Sequence, residues 1–316
     1  MSVKKSKYKS AYTLIELSIV ILIVSFLMTG ALTITIGSLN KAKKNYTQSK
    51  LNQIYSAIGK FLLENKRLPC PANLELTKDN NLYGMEVGSG SGCSGSGVYQ
   101  SSASANIFYG MVPSKTLGLP SNMAEDEFGS KISYVIDERF TKSYQDVPNF
   151  ANFGFGTTDP YTATINVIEK PSAISRQITQ DAILVIISHG LNKFGAFNAN
   201  ASTQNPVSSD PDETDEASNS YSSSFDNNFI YYSQNSKIFD DLVVFKTRNQ
   251  IVEDFNAFYL IACKDAGVKF ENKNSYFGQS VFSTTPCGGA ITYQKILEKY
   301  CDKFGNWVDI NKCENW

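Results

Sequence analysis

The chain has 316 residues, a formal net charge of −1, and only 19% charged against 12% aromatic residues. This length allows one large domain or two small ones in addition to a terminal helix. The balanced charge gives no basic surface, so nucleic acid binding is not indicated.

The N-terminus combines a lysine-rich segment with an apolar run. Lys4, Lys5, Lys7 and Lys9 precede the run, and no charged residue occurs from Leu17 to Ile36. A helix over that run is about 30 Å long at about 1.5 Å per residue, which matches the hydrocarbon core of a bilayer. We therefore expect a membrane anchor at about residues 14–36. Glu16 at its start requires a counter-charge.

Two simpler interpretations of this segment are a secretory signal peptide and a plain signal anchor. Both begin with lysines and an apolar run. No A-x-A cleavage site follows the run, and neither reading accounts for an acid inside the sequence Thr13-Leu14-Ile15-Glu16-Leu17.

Helical periodicity continues beyond the apolar run. The apolar positions at helical spacing are Ile54, Ile58, Phe61 and Leu62. They predict an amphipathic continuation over 37–66, which Pro69 and Pro71 end.

Short apolar and β-branched segments then predict strands. These segments are 132–136, 164–168, 182–187, 229–232 and 242–245. Segment 182–187 is apolar on both faces, which favours a central position in a sheet. Residues 198–224 are rich in Ser, Asn and Asp and predict a long exposed loop. An apolar face over 250–265 predicts a helix.

The segment from Ala11 to Leu17 resembles the processing site of type IV pilins and of the pseudopilins of type II secretion. The resemblance implies that a prepilin peptidase cleaves between Ala11 and Tyr12 and methylates the new amine. It also implies that the amine of Tyr12 in one subunit neutralises Glu16 of its neighbour in a filament. Two charges that are each costly in an apolar setting become tolerable as a pair. The family usually has Gly and Phe where this chain has Ala11 and Tyr12.

Two internal segments extend the resemblance. Residues 126–134 are similar to the D-P-W-G-x-x-Y stretch of the pseudopilin globular domain, with Phe128 in place of Trp. Residues 188–195 are similar to its S-x-G-x-D-G-x-x-G loop, with Asn192 in place of Asp. Their order along the chain is that of the family.

The expected fold class is α+β, with a long N-terminal transmembrane and spine helix packed on an antiparallel β-sheet and a disulfide-stapled C-terminal extension. The expected divisions are a leader at 1–11, the helix at 12–66, a periplasmic globular domain at 67–249 and a cysteine-rich region at 250–316. The resemblance places the leader in the cytoplasm. It implies a single-pass inner-membrane protein, in contact with lipid before assembly and in a filament afterwards.

Six cysteines in an oxidising compartment predict disulfides. The pairing closest in sequence is Cys70–Cys93, Cys263–Cys287 and Cys301–Cys313, one of fifteen connectivities that six cysteines allow. Zinc ligation is the alternative, although no C-x-x-C pair occurs.

Acidic residues suggest a calcium site. Asp210, Asp212 and Asp215 alternate within one acidic segment, as oxygen ligands of hard cations often do. Asp240 and Asp241 form a second candidate location. The major pseudopilins carry a calcium ion near their last loop, which the resemblance brings to this chain as a possibility.

Ser188 and the single histidine, His189, are the residues that a hydrolase hypothesis would use. Neighbouring residues on an extended chain point to opposite sides, which disfavours a nucleophile–base pair. No nucleotide-binding, zinc-protease or dinucleotide motif is present. Energy for assembly would therefore come from a partner motor.

The expected function is structural and not enzymatic: a minor pilin or pseudopilin subunit. Its expected partners are the prepilin peptidase, other pilin or pseudopilin subunits, and the assembly platform with its motor. The alternative is an adhesive or ligand-binding module displayed on a filament, which the 17 Tyr and 20 Phe favour. A membrane-anchored periplasmic hydrolase is the third hypothesis. A pilus, a secretion pseudopilus and a DNA-uptake filament all stay open.

Overall fold

The computed structural model describes residues 13–65, 67–88, 92–142, 163–170, 175–207, 214–222, 225–233 and 239–255, and their side chains except at 27–36 and 252. The chain divides into two compact units, Met1–Tyr46 and Thr47–Trp316.

Helix α1 runs from Leu14 to Asn65, a length of 52 residues. In the second unit it presents one apolar face, made of Leu51, Ile54, Ile58 and Leu62, and all four side chains are fully buried. Their spacing of three and four residues puts them in a single stripe. This stripe is where α1 joins the hydrophobic core of that unit.

The expected transmembrane anchor is contradicted. Among the described residues, no helix combines the length and the apolarity needed to cross a membrane. After Gly37 the helix carries Lys41 and further charges. The inner-membrane, single-pass prediction is corrected accordingly.

Seven strands form one sheet in the described part of the chain. They are β1 (Tyr99–Gln100), β2 (Ile107–Met111), β3 (Ser133–Asp137), β4 (Ile165–Lys170), β5 (Arg176–Ser188), β6 (Asn228–Tyr232) and β7 (Leu242–Thr247). Two short helices accompany them, α2 (Thr214–Ser218) and α3 (Arg248–Asp254).

The sheet is mixed, which corrects the antiparallel prediction. The strand order is β1-β2-β3-β5-β4-β6, with β7 paired to β5. The neighbouring described strands are antiparallel except β4 and β6, which run parallel with Val167 opposite Phe229. One edge of β4 is occupied by β5, so β6 pairs with the other edge after a long crossover connection. A parallel pair of this kind is set by the path of the connection rather than by the strand sequences.

Strand β5 lies at the centre of the sheet, as its apolar sequence predicts. It pairs with β3, β4 and β7, and every residue from Ala182 to Ser188 is buried. Ile183 and Ile186 face the core that includes α1, whereas Val185 and Ile187 face a second core on the other side.

The prediction of a long exposed loop over 198–224 is wrong. The described part of this segment contains α2 and buries Ala199, Glu216 and Asn219. Some of its polar side chains form hydrogen bonds inside the protein: Asn219, for example, donates to the carbonyl of Ile230 in β6 and to Asp241. Polar side chains that are satisfied internally look the same in a sequence as solvated ones.

Candidate functional site

Glu16 closes a capping box at the start of α1. The N–H and the hydroxyl of Thr13 each donate to Glu16 Oε2 at 2.9 Å, and Thr13 Oγ1 accepts from the Glu16 N–H at 3.3 Å. The hydrogen bond from the Thr13 N–H, followed by that from its hydroxyl, lowers the pKa of the exposed Glu16 carboxyl. The T-x-x-E spacing is that of a capping box, a role of Glu16 that was not predicted from the sequence. Ala11 and Tyr12, the predicted processing pair, lie outside the described residues.

The first described turns of α1 expose an apolar surface. Every residue from Leu14 to Phe26 is exposed, and the large apolar side chains among them range from 40% exposed at Val24 to 88% at Leu14. No other described residue of the first unit buries these side chains. Exposed apolar surfaces of this size are typical of regions that contact another protein or a membrane.

A buried polar cluster lies at the carboxyl end of β5, where the loop that resembles S-x-G-x-D-G begins. Ser188 Oγ donates to Asp126 Oδ2 at 2.7 Å. Asp126 Oδ1 accepts from the N–H groups of Phe128 at 3.0 Å and Ser130 at 2.8 Å. Burial raises the pKa of Asp126 above its usual value. The hydrogen bond between Ser188 and Asp126 therefore joins the two internal segments that resemble pseudopilins.

His189 is fully buried beside this contact. Its Nε2 lies 3.1 Å from Ser133 Oγ and 3.3 Å from the Tyr109 hydroxyl, and its Nδ1 lies 3.8 Å from Asp241 Oδ1. Burial lowers the pKa of His189 to about 4, so the imidazole is neutral near pH 7. Ser188 and His189 bond to different partners, so these two residues do not form the nucleophile–base pair of the hydrolase hypothesis.

Two carboxylates hold the loop that follows. The N–H groups of Leu191 and Asn192 donate to Asp240 Oδ2 at 2.8 and 3.0 Å. Asn192 Nδ2 donates to Glu216 Oε2 at 2.6 Å, and the Asp240 N–H donates to Glu216 Oε1 at 2.7 Å. The amide of Asn192 can donate to Glu216, whereas an Asp at this place would bring carboxylate against carboxylate.

Gly190 lets the loop approach Asp240. Its φ of +61° is in the left-handed region, and a Cβ there would lie 2.1 Å from Asp240 Oδ1. Any larger residue at 190 would push the loop away from the carboxylate that binds it.

Glu216, Asp240 and Asp241 bring three carboxylates together, with one oxygen of each within 4.8 Å of the others. Asn219 Nδ2 donates to Asp241 Oδ2 at 2.9 Å. Asp241 Oδ1 and His189 Nδ1 are both buried and have no hydrogen-bond partner among the described residues. Burial first, and then the charge of Glu216, raise the pKa of Asp241 well above its usual value. These three carboxylates are the described residues best placed to hold a divalent cation.

The predicted calcium ligands are distributed differently. Asp210 and Asp212 lie outside the described residues. Asp215 accepts from Lys170 Nζ at 2.5 Å and from the Tyr232 hydroxyl at 2.7 Å. Its carboxylate is therefore part of a surface ion pair, and it is the rival location at Asp240 and Asp241 that gathers carboxylates.

Among the cysteines, Cys70 and Cys93 are joined in a disulfide, and both are buried. Cys263, Cys287, Cys301 and Cys313 lie outside the described residues. The bridge closes a loop of 23 residues around the segment that leaves α1. It joins that segment to the glycine-rich loop.

Lys131 is a buried cation that the sequence analysis missed. Its Nζ donates to the carbonyls of Leu74, Leu76 and Ala201 at 2.8, 2.7 and 2.8 Å. Desolvation lowers its pKa to about 8, while the charges of Glu125 and Glu75 oppose this shift. The residue sits beside a predicted strand with ordinary spacing, so no local signal separates it from a surface lysine.

Aromatic side chains serve mainly as core. Tyr109, Tyr134, Phe140 and Phe229 are among the largest fully buried side chains. The aromatic content that favours an adhesive module in the sequence is thus explained in part by packing.

Comparison with protein-family models, with curated proteins and with solved structures gives no match to this chain. Arguments about its function therefore depend on its own residues.

Proposed function

We propose that this chain is a minor subunit of a type IV pilus or a type II secretion pseudopilus, processed between Ala11 and Tyr12 by a prepilin peptidase. The observation that carries the proposal is the exposed apolar surface from Leu14 to Phe26, which begins within the predicted processing motif and continues beyond it. Partner subunits would cover this surface with their own N-terminal helices.

Glu16 gives the proposed assembly its specificity. In the unprocessed chain its carboxylate is bonded by Thr13 of the same helix. After cleavage, the methylated amine of Tyr12 from a neighbouring subunit adds a positive charge that this carboxylate can pair with. Burial of the pair between apolar helices removes competing water and strengthens the attraction, while a subunit in the wrong register leaves a charge unpaired.

The first test separates the charge of Glu16 from its capping role. Glu16→Gln keeps a side chain that can close the capping box but removes the charge. We expect normal cleavage and at least a tenfold loss of incorporation into purified filaments. Glu64→Gln, at an exposed position of the same helix, is the control and should incorporate normally.

The second test is the mass of the polypeptide in native filaments. The proposal requires an N-terminus at Tyr12 with one added methyl group. An intact leader in assembled protein, or full incorporation of Glu16→Gln, would contradict it.

The minor role is tested by abundance. A chain of 316 residues is large for the repeating unit of a tightly packed shaft, so we expect far fewer copies than of the main subunit. Quantitative mass spectrometry of purified filaments measures this ratio, and equal abundance would exclude a minor role.

A further inference from the structure

We propose that a first-row transition ion binds beyond the end of β5, between His189 and the carboxylates of Glu216, Asp240 and Asp241. Zinc is the probe for this site. The proposal concerns the second unit alone and does not depend on the assembly function.

The first observation is the arrangement of the donors. One oxygen from each of the three carboxylates lies within 4.8 Å of the others. His189 joins this set at Asp241, whose Oδ1 is 3.8 Å from Nδ1. Two ligands bound at about 2.0–2.2 Å to a tetrahedral ion are about 3.4 Å apart, so an ion could bridge this pair after a shift of a few tenths of an ångström.

The second observation is independent of the acidic cluster. His189 Nδ1 and Asp241 Oδ1 face each other inside the protein, and neither has a hydrogen-bond partner among the described residues. Nε2 of His189 is within reach of the Ser133 hydroxyl at 3.1 Å. If Nε2–H donates there, Nδ1 carries a lone pair directed toward Asp241. An imidazole whose other nitrogen is fixed by a hydrogen bond is the usual form of a metal-binding histidine.

The kind of ion follows from the number and type of donors. Calcium takes six to eight oxygen ligands. Here Asp240 Oδ2 accepts two backbone N–H groups, and both oxygens of Glu216 accept hydrogen bonds. One oxygen per carboxylate and one imidazole nitrogen make four donors of mixed type, which suits zinc rather than calcium.

The charges support the same conclusion. Three ionised carboxylates close together, of which Glu216 and Asp241 are buried, repel one another, and a divalent cation removes that repulsion. The ion would draw the imidazole and the carboxylates together and so connect β5, α2 and the start of β7. Metal binding would then add directly to the stability of the folded state.

The experiment uses the full chain after treatment with a chelator. We expect one zinc ion per chain by isothermal titration, a higher melting temperature with zinc, and at least tenfold weaker binding of calcium and magnesium. Cobalt in place of zinc should give visible absorption bands that report a site of low coordination number with a nitrogen ligand.

The matched variants are Asp241→Asn and Asp79→Asn. Asp241→Asn keeps the shape of the side chain but removes a buried charge. It should weaken zinc binding at least tenfold while leaving the metal-free protein equally or more stable. Asp79 is exposed, so Asp79→Asn should bind zinc as the wild type does. His189→Gln should abolish the cobalt bands.

Three results would overturn the proposal. They are equal zinc affinity in the wild type and Asp241→Asn, calcium binding tighter than zinc, and no effect of any divalent ion on the melting temperature.

Discussion

The two described ends of α1 both carry large apolar side chains but have opposite surroundings. Leu14 to Phe26 is exposed at every position, whereas Leu51, Ile54, Ile58 and Leu62 are fully buried. The buried end has a single apolar stripe that matches one face of a sheet. The exposed end is apolar around the helix, as in helices that are covered on all sides by partners.

This contrast shows that apolar content does not say what covers a helix. In the second unit the covering residues come from the same chain, and their effect is measured as folding stability. For the exposed end we propose other subunits as the cover, and there the effect should be measured as assembly. Substitutions in one helix can therefore separate the two.

The largest expected effect comes from shortening a buried residue of α1. Ile54→Ala removes three carbons from a fully buried side chain and should lower the free energy of unfolding by about 2–5 kcal/mol. Ile21→Ala, at a residue that is 57% exposed, should change it by less than about 0.5 kcal/mol. Urea unfolding followed by circular dichroism measures both. Similar decreases in unfolding free energy at the two positions would contradict the contrast between the two ends of α1.

The disulfide should have the next largest effect. Replacing both Cys70 and Cys93 by Ser frees a loop of 23 residues in the unfolded chain and should cost about 2–4 kcal/mol. Because the bridge lies in the second unit, assembly through the exposed end of α1 should suffer only through lower stability. Comparing the variant with the wild type, each with and without reductant, separates this bridge from the other cysteines. An unchanged melting temperature in oxidised variant and wild type would contradict the prediction.

Two glycines of α1 allow one substitution to be compared in both settings. A Cβ at Gly59 would lie 2.1 Å from the Phe255 ring, so Gly59→Ala should destabilise the protein by about 1–3 kcal/mol through overpacking. A Cβ at Gly37 meets nothing within 4 Å, so Gly37→Ala should stabilise the helix by up to about 1 kcal/mol. Thermal unfolding of the two variants should shift in opposite directions.

A further prediction concerns pH and the buried Lys131. Its pKa is lowered to about 8 in the folded protein, whereas the unfolded value is about 10.5. Between these values the unfolded chain binds more protons, so this group makes the folded state more stable as pH rises from 8 to 10.5. The difference in unfolding free energy between wild type and Lys131→Met should therefore change in favour of the wild type over that range. A difference that is constant with pH would show that burial does not lower this pKa.

Regular spacing made part of the fold predictable. The stripe at Ile54 and Ile58, and the doubly apolar segment 182–187, reflect where those elements are buried, because each has a periodicity that survives in the sequence. Cys70 and Cys93 are close enough along the chain for a local pairing to be considered.

The errors have a common physical cause. The parallel pairing of β4 with β6 depends on the path of a long connection, and sequence pattern reports only local geometry. The buried polar residues Glu216, Asn219 and Lys131 have hydrogen-bond partners elsewhere in the chain. The sequence therefore predicted an exposed loop around Glu216 and Asn219, and it gave Lys131 the appearance of an ordinary surface residue. The apolar run at the N-terminus predicted a membrane span, but among the described residues no helix is both long and apolar enough to cross a membrane.

The candidate site was predictable only in outline. The sequence identified Asp240, Asp241 and His189 separately, with no indication that they lie together. Glu216 lies in the acidic segment that suggested calcium, but it was not chosen as a ligand, because only the fold brings it beside Asp240 and Asp241.

The parallel pair has a consequence for how the chain reaches its native state. Asn166 and Asn228 are paired although 62 residues separate them, so β4 must wait for a distant segment before its outer edge is covered. During synthesis that edge offers unpaired N–H and carbonyl groups to any other nascent strand. If β6 pairs with β4 slowly, the time before that pairing is when the chain is most exposed to aggregation. A chaperone would be most useful during the same period.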